Sequence, residues 1–237
     1  MRIRGAAFAL ILALVVGLSA CSANSANALL DGSQEIGVDV CDPAGGPFSL
    51  EIDNPYLPYL PGQRSVLEGP DGSRIGRVQI TVFDETEIVA GVTTRVVEER
   101  EWIDDSLVEV SRNFVVQALD GTVCYYGEEV DNYRNGEVVG HGGAWRAGEN
   151  GHHPGILMPG KPEPGFSHKQ EVAPGVAEDA SVIISIGDPF SVPAGDFDDT
   201  LETVDIDPLS GGRDPKRYAR GVGLILDERL VLISFDR

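Results

Sequence analysis

The feature that most constrains this chain is a series of turn dipeptides: Asp71-Gly72, Ala90-Gly91, Asp104-Asp105, Asp120-Gly121 and Asn135-Gly136. Each separates two runs rich in Val, Ile, Thr and aromatic residues. Asn, Asp and Gly tolerate the positive φ that a tight hairpin demands, so these pairs mark reversals between neighbouring strands. The runs between them (64–68, 74–83, 88–89, 93–102, 107–119, 122–126 and 137–139) have strand length. In the second run Ile75, Arg77, Gln79, Thr81 and Phe83 share one face by simple alternation. No helical periodicity of useful length competes. The first two-thirds of the chain is therefore predicted to be an antiparallel meander.

Beyond it, residues 140–165 hold glycines, prolines and most of the histidines, and are expected to form a long loop. Pro154-Gly155-Ile156-Leu157-Met158-Pro159 should pin that loop onto apolar surface. Strands are expected to resume at 167–172, 180–186, 190–192 and 201–206. A loop at 208–215 then leads to a terminal hairpin of 216–227 with 230–235 about Glu228-Arg229. Residues 53–62 carry Pro55, Pro58 and Pro61, too many for a helix or a central strand. They read as an extended segment capping the core with Tyr and Leu side chains. The fold class is all-β, as a curved sheet approaching a barrel or as a two-sheet sandwich.

The N-terminus gives an address. Arg2 and Arg4 precede an uncharged apolar run that ends in Leu18-Ser19-Ala20-Cys21, too short for a permanent membrane span. The ending resembles the lipobox of bacterial lipoproteins, in which the Cys is acylated and becomes the first mature residue. The expectation is a signal peptide at 1–20, lipidation at Cys21, a flexible tether at 21–37 and one β-rich extracytoplasmic domain at 38–237. Ordinary cleavage after Ala28 is the alternative. The remaining cysteines, Cys41 and Cys124, lack any metal-knuckle spacing, and in an exported chain they are expected to pair as a disulfide.

Charge narrows the partners. Against 38 acids stand 18 Lys and Arg residues, and loss of residues 1–20, which carry two arginines and no acid, takes the net charge from −20 to −22. Phosphate would be repelled, which argues against nucleic acid, and anionic lipid heads offer no hold. Contact with the membrane must then come through acyl chains.

Seven segments resemble, in order, a group of uncharacterised bacterial secreted β-proteins. They are Asp53-Asn54-Pro55-Tyr56, Leu60-Pro61-Gly62, Gly127-Glu128-Glu129, Pro154-Gly155-Ile156-Leu157-Met158-Pro159, Pro174-Gly175-Val176-Ala177-Glu178-Asp179, Val192-Pro193-Ala194-Gly195-Asp196-Phe197-Asp198-Asp199 and Ala219-Arg220-Gly221-Val222-Gly223-Leu224. The resemblance implies a single extracytoplasmic β domain and brings no activity, substrate or catalytic residue. In that group an aromatic tends to stand at the position of Cys124 and often a Cys at that of Thr200, which implies that a disulfide partner has moved in this chain.

The residues that could carry chemistry are few in pattern. His141, His152, His153 and His168 fall in one region, yet His152 and His153 are adjacent and no His-x-x-x-His spacing occurs, so no metal or cofactor is assigned. His141-Gly142-Gly143 is similar to an esterase oxyanion turn, but the nucleophile elbow that chemistry needs is missing. Glu98-Glu99, Glu101, Asp104-Asp105, Glu128-Glu129, Asp196, Asp198-Asp199, Asp205 and Asp207 are read as mostly solvated strand faces and turns. If there is a functional face, it is expected on the 140–165 loop, at His141, Trp145, His152, His153 and Met158; otherwise that loop merely seals the core. No catalytic residue is assigned. The reading is a lipid-anchored, non-enzymatic binding module, with a carrier of a hydrophobic ligand or an envelope glycan hydrolase using paired carboxylates as alternatives.

Overall fold

The structure is a computed structural model that describes residues 28–237; the leader and Cys21 lie outside the described residues. In chain order the strands are β1 (Gln34–Ile36), β2 (Arg64–Asp71), β3 (Arg74–Val89), β4 (Val92–Ile103), β5 (Ser106–Gln117), β6 (Val123–Arg134), β7 (Glu137–Gly140) and β8 (Trp145–Arg146). There follow β9 (Gly155–Met158), β10 (Phe166–Lys169), β11 (Ala180–Val192), β12 (Gly195–Asp207), β13 (Gly212–Ala219), β14 (Gly223–Asp227) and β15 (Leu230–Asp236).

All belong to one sheet, in the order β1-β10-β11-β12-β13-β14-β15-β2-β3-β4-β5-β6-β7, with β8 and β9 also paired to β6. Every pairing of named strands is antiparallel except β1 with β10, which is parallel. The fold is therefore all-β, and a single sheet replaces the two-sheet alternative. The hairpin signals sit where their chemistry requires. Ala90 and Gly91, Asp104 and Asp105, and Asn135 and Gly136 all have positive φ and form two-residue turns.

Four expectations need correction. The 216–227 run is two strands, because Gly221 at φ +74 turns the chain and its N–H donates to Pro55 O at 2.7 Å. The 140–165 loop contains β8 and β9, whose pairing with β6 satisfies backbone groups that a buried loop would leave open. Part of the expected tether is ordered, since Gln34–Ile36 pairs with β10. Finally, β6 runs on to Arg134 through the polar residues after Tyr126. There Gly127, at φ +122, lets Trp145 O approach to within 2.3 Å of where a Cβ would stand.

Leu67, Val78, Val97, Tyr125, Met158, Ile183, Leu201 and Leu232 pack in one buried cluster although their strands are far apart in the sheet. The sheet curves to bring them together on its inner face, yet it is not closed into a barrel. Between β9 and β10 there is no ladder, only one bridge, His153 with Val172. The proline-rich segment is fastened by side chains, since proline cannot donate to a ladder. Asn54 Nδ2 donates to Gly121 O and Pro159 O at 2.9 and 3.1 Å, and its Oδ1 accepts from Tyr56 N and Leu57 N. Tyr56 OH donates to Asp199 Oδ1 at 2.7 Å. Cys41, in a short 3-10 turn at Val38–Cys41, is joined to Cys124 of β6, with Cα atoms 5.5 Å apart.

Candidate functional site

Alternation along β4 sends Val97, Glu99 and Glu101 to the inner face, where Glu101 stands opposite Glu109 and Glu99 opposite Ser111 on β5. Across the molecule Lys216 on β13 pairs in register with Asp227 on β14 and with Thr203 on β12. Its Nζ lies 3.3 Å from Asp227 and 3.6 Å from Asp205, and all three side chains are buried. The interior thus holds a surplus of carboxyl groups around one lysine.

Burial raises the carboxyls above their ordinary range. Glu99 reaches about 8, with Lys216 pulling down and Glu101 and Asp227 pushing up. Glu109 is driven to about 9 by burial and by the neighbouring Glu101 and Glu99, against a 2.8 Å hydrogen bond from Asn132 Nδ2. Glu101 rises to about 7 by burial and the charge of Asp227. For Lys216, burial lowers the value, but Asp227, Asp205, Glu99 and Asp214 outweigh it and hold the ammonium above its usual range. At neutral pH this layer stores protons on glutamates beside a fixed cation. Reading these acids as mostly solvated fails for Glu98, Glu99, Glu128, Asp205 and Asp207, which are buried, and holds for Asp104, Asp105, Glu129, Asp196 and Asp198, which are exposed.

The residues expected on the 140–165 loop do not form one face. Met158 and Trp145 are core residues. His141 is exposed, with Nδ1 2.9 Å from Asp131 and from Val130 O, in a separate surface hollow of about 310 Å³. His153 is exposed and uses only its backbone, donating from N to Val172 O. Trp145 and His152 do meet, edge to face at 6.3 Å, and Tyr125 packs on the other side of the indole at 5.3 Å. Among the described residues no trio of His, Cys, Asp or Glu is arranged to hold a metal ion.

Chemistry collects instead where β9 approaches β10. A Cβ on Gly155 would lie 2.1 Å from Gln170 O, so only glycine allows this seam to close. Behind it Glu128 of β6, cross-strand partner of Trp145, is fully buried. Its acid is raised by burial and by Glu171, Glu109 and Glu99. The Trp145 Nε1 and His152 Nδ1 atoms are buried without a hydrogen-bond partner.

In front of the seam a cavity of about 390 Å³ opens between Leu30, Ser33 and Glu35 on one side and residues 171–178 on the other; Ser167, His168 and Lys169 of β10 line it as well. His168 is 1% exposed, and burial lowers it to about 4, so the ring is neutral; Leu157 backbone is its one polar neighbour, which leaves at least one ring nitrogen unpartnered. Glu171 is equally recessed. At the mouth, Lys169 Nζ lies 3.7 Å from Glu35, Ser33 and Ser167 hydroxyls meet at 2.7 Å, and Glu178 Oε1 accepts from Gly175 N.

Glu171 was missed because 168–172 reads as an ordinary polar strand, and only the neighbouring strands show which side faces inward. His168 stood out in the sequence solely by its proximity to the other histidines. Comparison with family models, with curated proteins and with solved structures returned no match.

Proposed function

We propose that the chain is an exported, lipid-anchored binding module of the bacterial cell envelope, non-enzymatic, with its ligand in the cavity between β1, β10 and residues 171–178. The observation that carries this reading is His168, a recessed side chain that lines an open cavity with a nitrogen left unpartnered. Buried polar groups are normally satisfied, and one facing a cavity is a place for a ligand group to bond.

The address rests on the Leu18-Ser19-Ala20-Cys21 ending, and a disulfide between Cys41 and Cys124 suits an oxidising exterior. Leu30 lines the cavity and follows Cys21 by nine residues, a reach of at most about 30 Å, so an acylated Cys21 keeps the cavity near the bilayer. An inner face layered with acids fits a polar guest better than an apolar cargo.

Two measurements test this. Replacement of Cys21 by Ser should move the protein from membrane to soluble fractions and remove the acyl mass; an unlipidated, soluble wild type would refute the anchor. Native mass spectrometry of the full chain, purified from membranes, should show a small-molecule adduct that His168→Leu loses. An unadorned wild-type mass would count against the cavity as a ligand site.

One observation favours a second reading. Glu101 and Glu109 face each other across β4 and β5, as paired acids of a glycan hydrolase would. Release of reducing sugar from envelope glycans, abolished by Glu109→Gln, would establish it.

A further inference from the structure

We infer that the cavity selects a small organic cation with a primary ammonium at each end, a diamine seated against Glu171 inside and Glu178 and Glu35 outside. This rests on the proposed reading of the cavity as the ligand site and names the chemistry of its occupant.

Three lines of argument converge on it. The first is charge. Glu35, Glu171 and Glu178 line the cavity against a single Lys169, which already faces Glu35 at 3.7 Å. No arginine is among the lining residues, so an anionic ligand would meet carboxylates with no cation to receive it.

The second is hydrogen-bond capacity. An ammonium brings three donors and no acceptor. The recessed wall offers the matching set: the Glu171 carboxyl, the Ser167 hydroxyl and the neutral ring of His168 with a nitrogen unpartnered. An apolar guest would leave that nitrogen unsatisfied and lose the desolvation cost of the groups around it.

The third is size and depth. About 390 Å³ lies at the small end of ligand cavities, which suits a short chain rather than a polymer. Its acids sit at two depths, with Glu171 2% exposed and Glu35 at the surface, so one cationic end would leave the other level unused.

The test is calorimetric titration of the full chain in detergent at physiological ionic strength with 1,4-diaminobutane, beside 1,4-butanediol and succinate as neutral and anionic matches of similar length. Diaminobutane alone should bind, saturably and one to one. Glu171→Gln should weaken it about tenfold or more, as loss of a charge-assisted bond does. Glu178→Gln and Glu35→Gln should weaken it by about fivefold or less, as exposed pairs do. Glu137→Gln, on the exposed strand β7, should change nothing. If Glu171→Gln fails to fold, the two surface variants carry the decision.

Binding weakened equally by Glu137→Gln, or failing to saturate, would mean diffuse attraction to an acidic surface and would overturn the inference. Binding of succinate or the diol in place of the diamine would overturn the cation while leaving the cavity as a site. Binding of none of the three would also overturn the cation, and the native-mass adduct would then decide separately whether the cavity holds a ligand at all.

Discussion

Lys216 Nζ lies 3.3 Å from Asp227 across the β13–β14 ladder, and the two side chains are 1% and 3% exposed. Asp205 approaches the same ammonium from β12 at 3.6 Å. Breaking such an arrangement on one side strands charge in a medium that cannot solvate it. Replacing Lys216 with Met should therefore cost about 3–5 kcal/mol, with part of the loss recovered when Asp227→Asn is added. Urea denaturation of the single and double variants measures both; additive losses would show that the charges do not depend on each other.

The acids of the inner face set a pH dependence whose sign is fixed by their shifts. Glu99, Glu101 and Glu109 titrate at about 8, 7 and 9 in the fold, above their unfolded values. The stability they contribute is complete below an unfolded carboxyl value of about 4.3 and is lost as pH rises through the folded values. The urea midpoint should fall between pH 5 and pH 9, by a free energy of about 2 kcal/mol or more. In Glu109→Gln, which has no proton to lose, the alkaline part of that fall should shrink. A wild-type midpoint that rises across this window would contradict the buried acid layer.

The Cys41–Cys124 bond closes a loop of 83 residues and fastens the segment before β2 to β6. Removing both cysteines should cost about 4 kcal/mol from the freed entropy of the unfolded chain. Thiol titration under denaturing conditions should find neither sulfur reactive before reduction and both reactive afterwards.

His152 and His153 should separate cleanly. His152 is buried against the Trp145 ring, so His152→Ala should cost about 1–2 kcal/mol through lost packing. His153 contributes its backbone N–H to Val172, which alanine retains, so His153→Ala should stay within about 0.5 kcal/mol. Thermal unfolding of the two variants is the measurement.

Gly155 holds the β9–β10 seam closed because a Cβ there would strike Gln170 O. Gly155→Ala should cost about 2 kcal/mol or more and speed exchange of the His153 amide, whose partner lies just across that seam. Hydrogen exchange reads this directly, and an unchanged His153 amide would show that the seam does not depend on glycine.

The turns were legible because their chemistry is local. Asp104-Asp105 and Asn135-Gly136 adopt positive φ whatever surrounds them, and the β-branched runs between such pairs can do little but extend. The break at Gly221 was not legible, because it answers to Pro55, far back in the chain. Likewise Trp145-Arg146 and Gly155–Met158 become strands only because β6 is there to receive their hydrogen bonds.

The sequence by itself determined an all-β meander, the turn positions and a surplus of acid. Alternation also determined that Glu99 and Glu101 share a face. Both faces of β4 carry acids, however, so no local signal said which face is inside. Only the tertiary structure decided that, when the sheet curved and set Glu99, Glu101 and Glu109 toward Lys216, and when β1 and residues 171–178 left a cavity over His168 and Glu171. Backbone preference acts between neighbours in the chain, whereas burial and charge act between whatever the closed fold brings together.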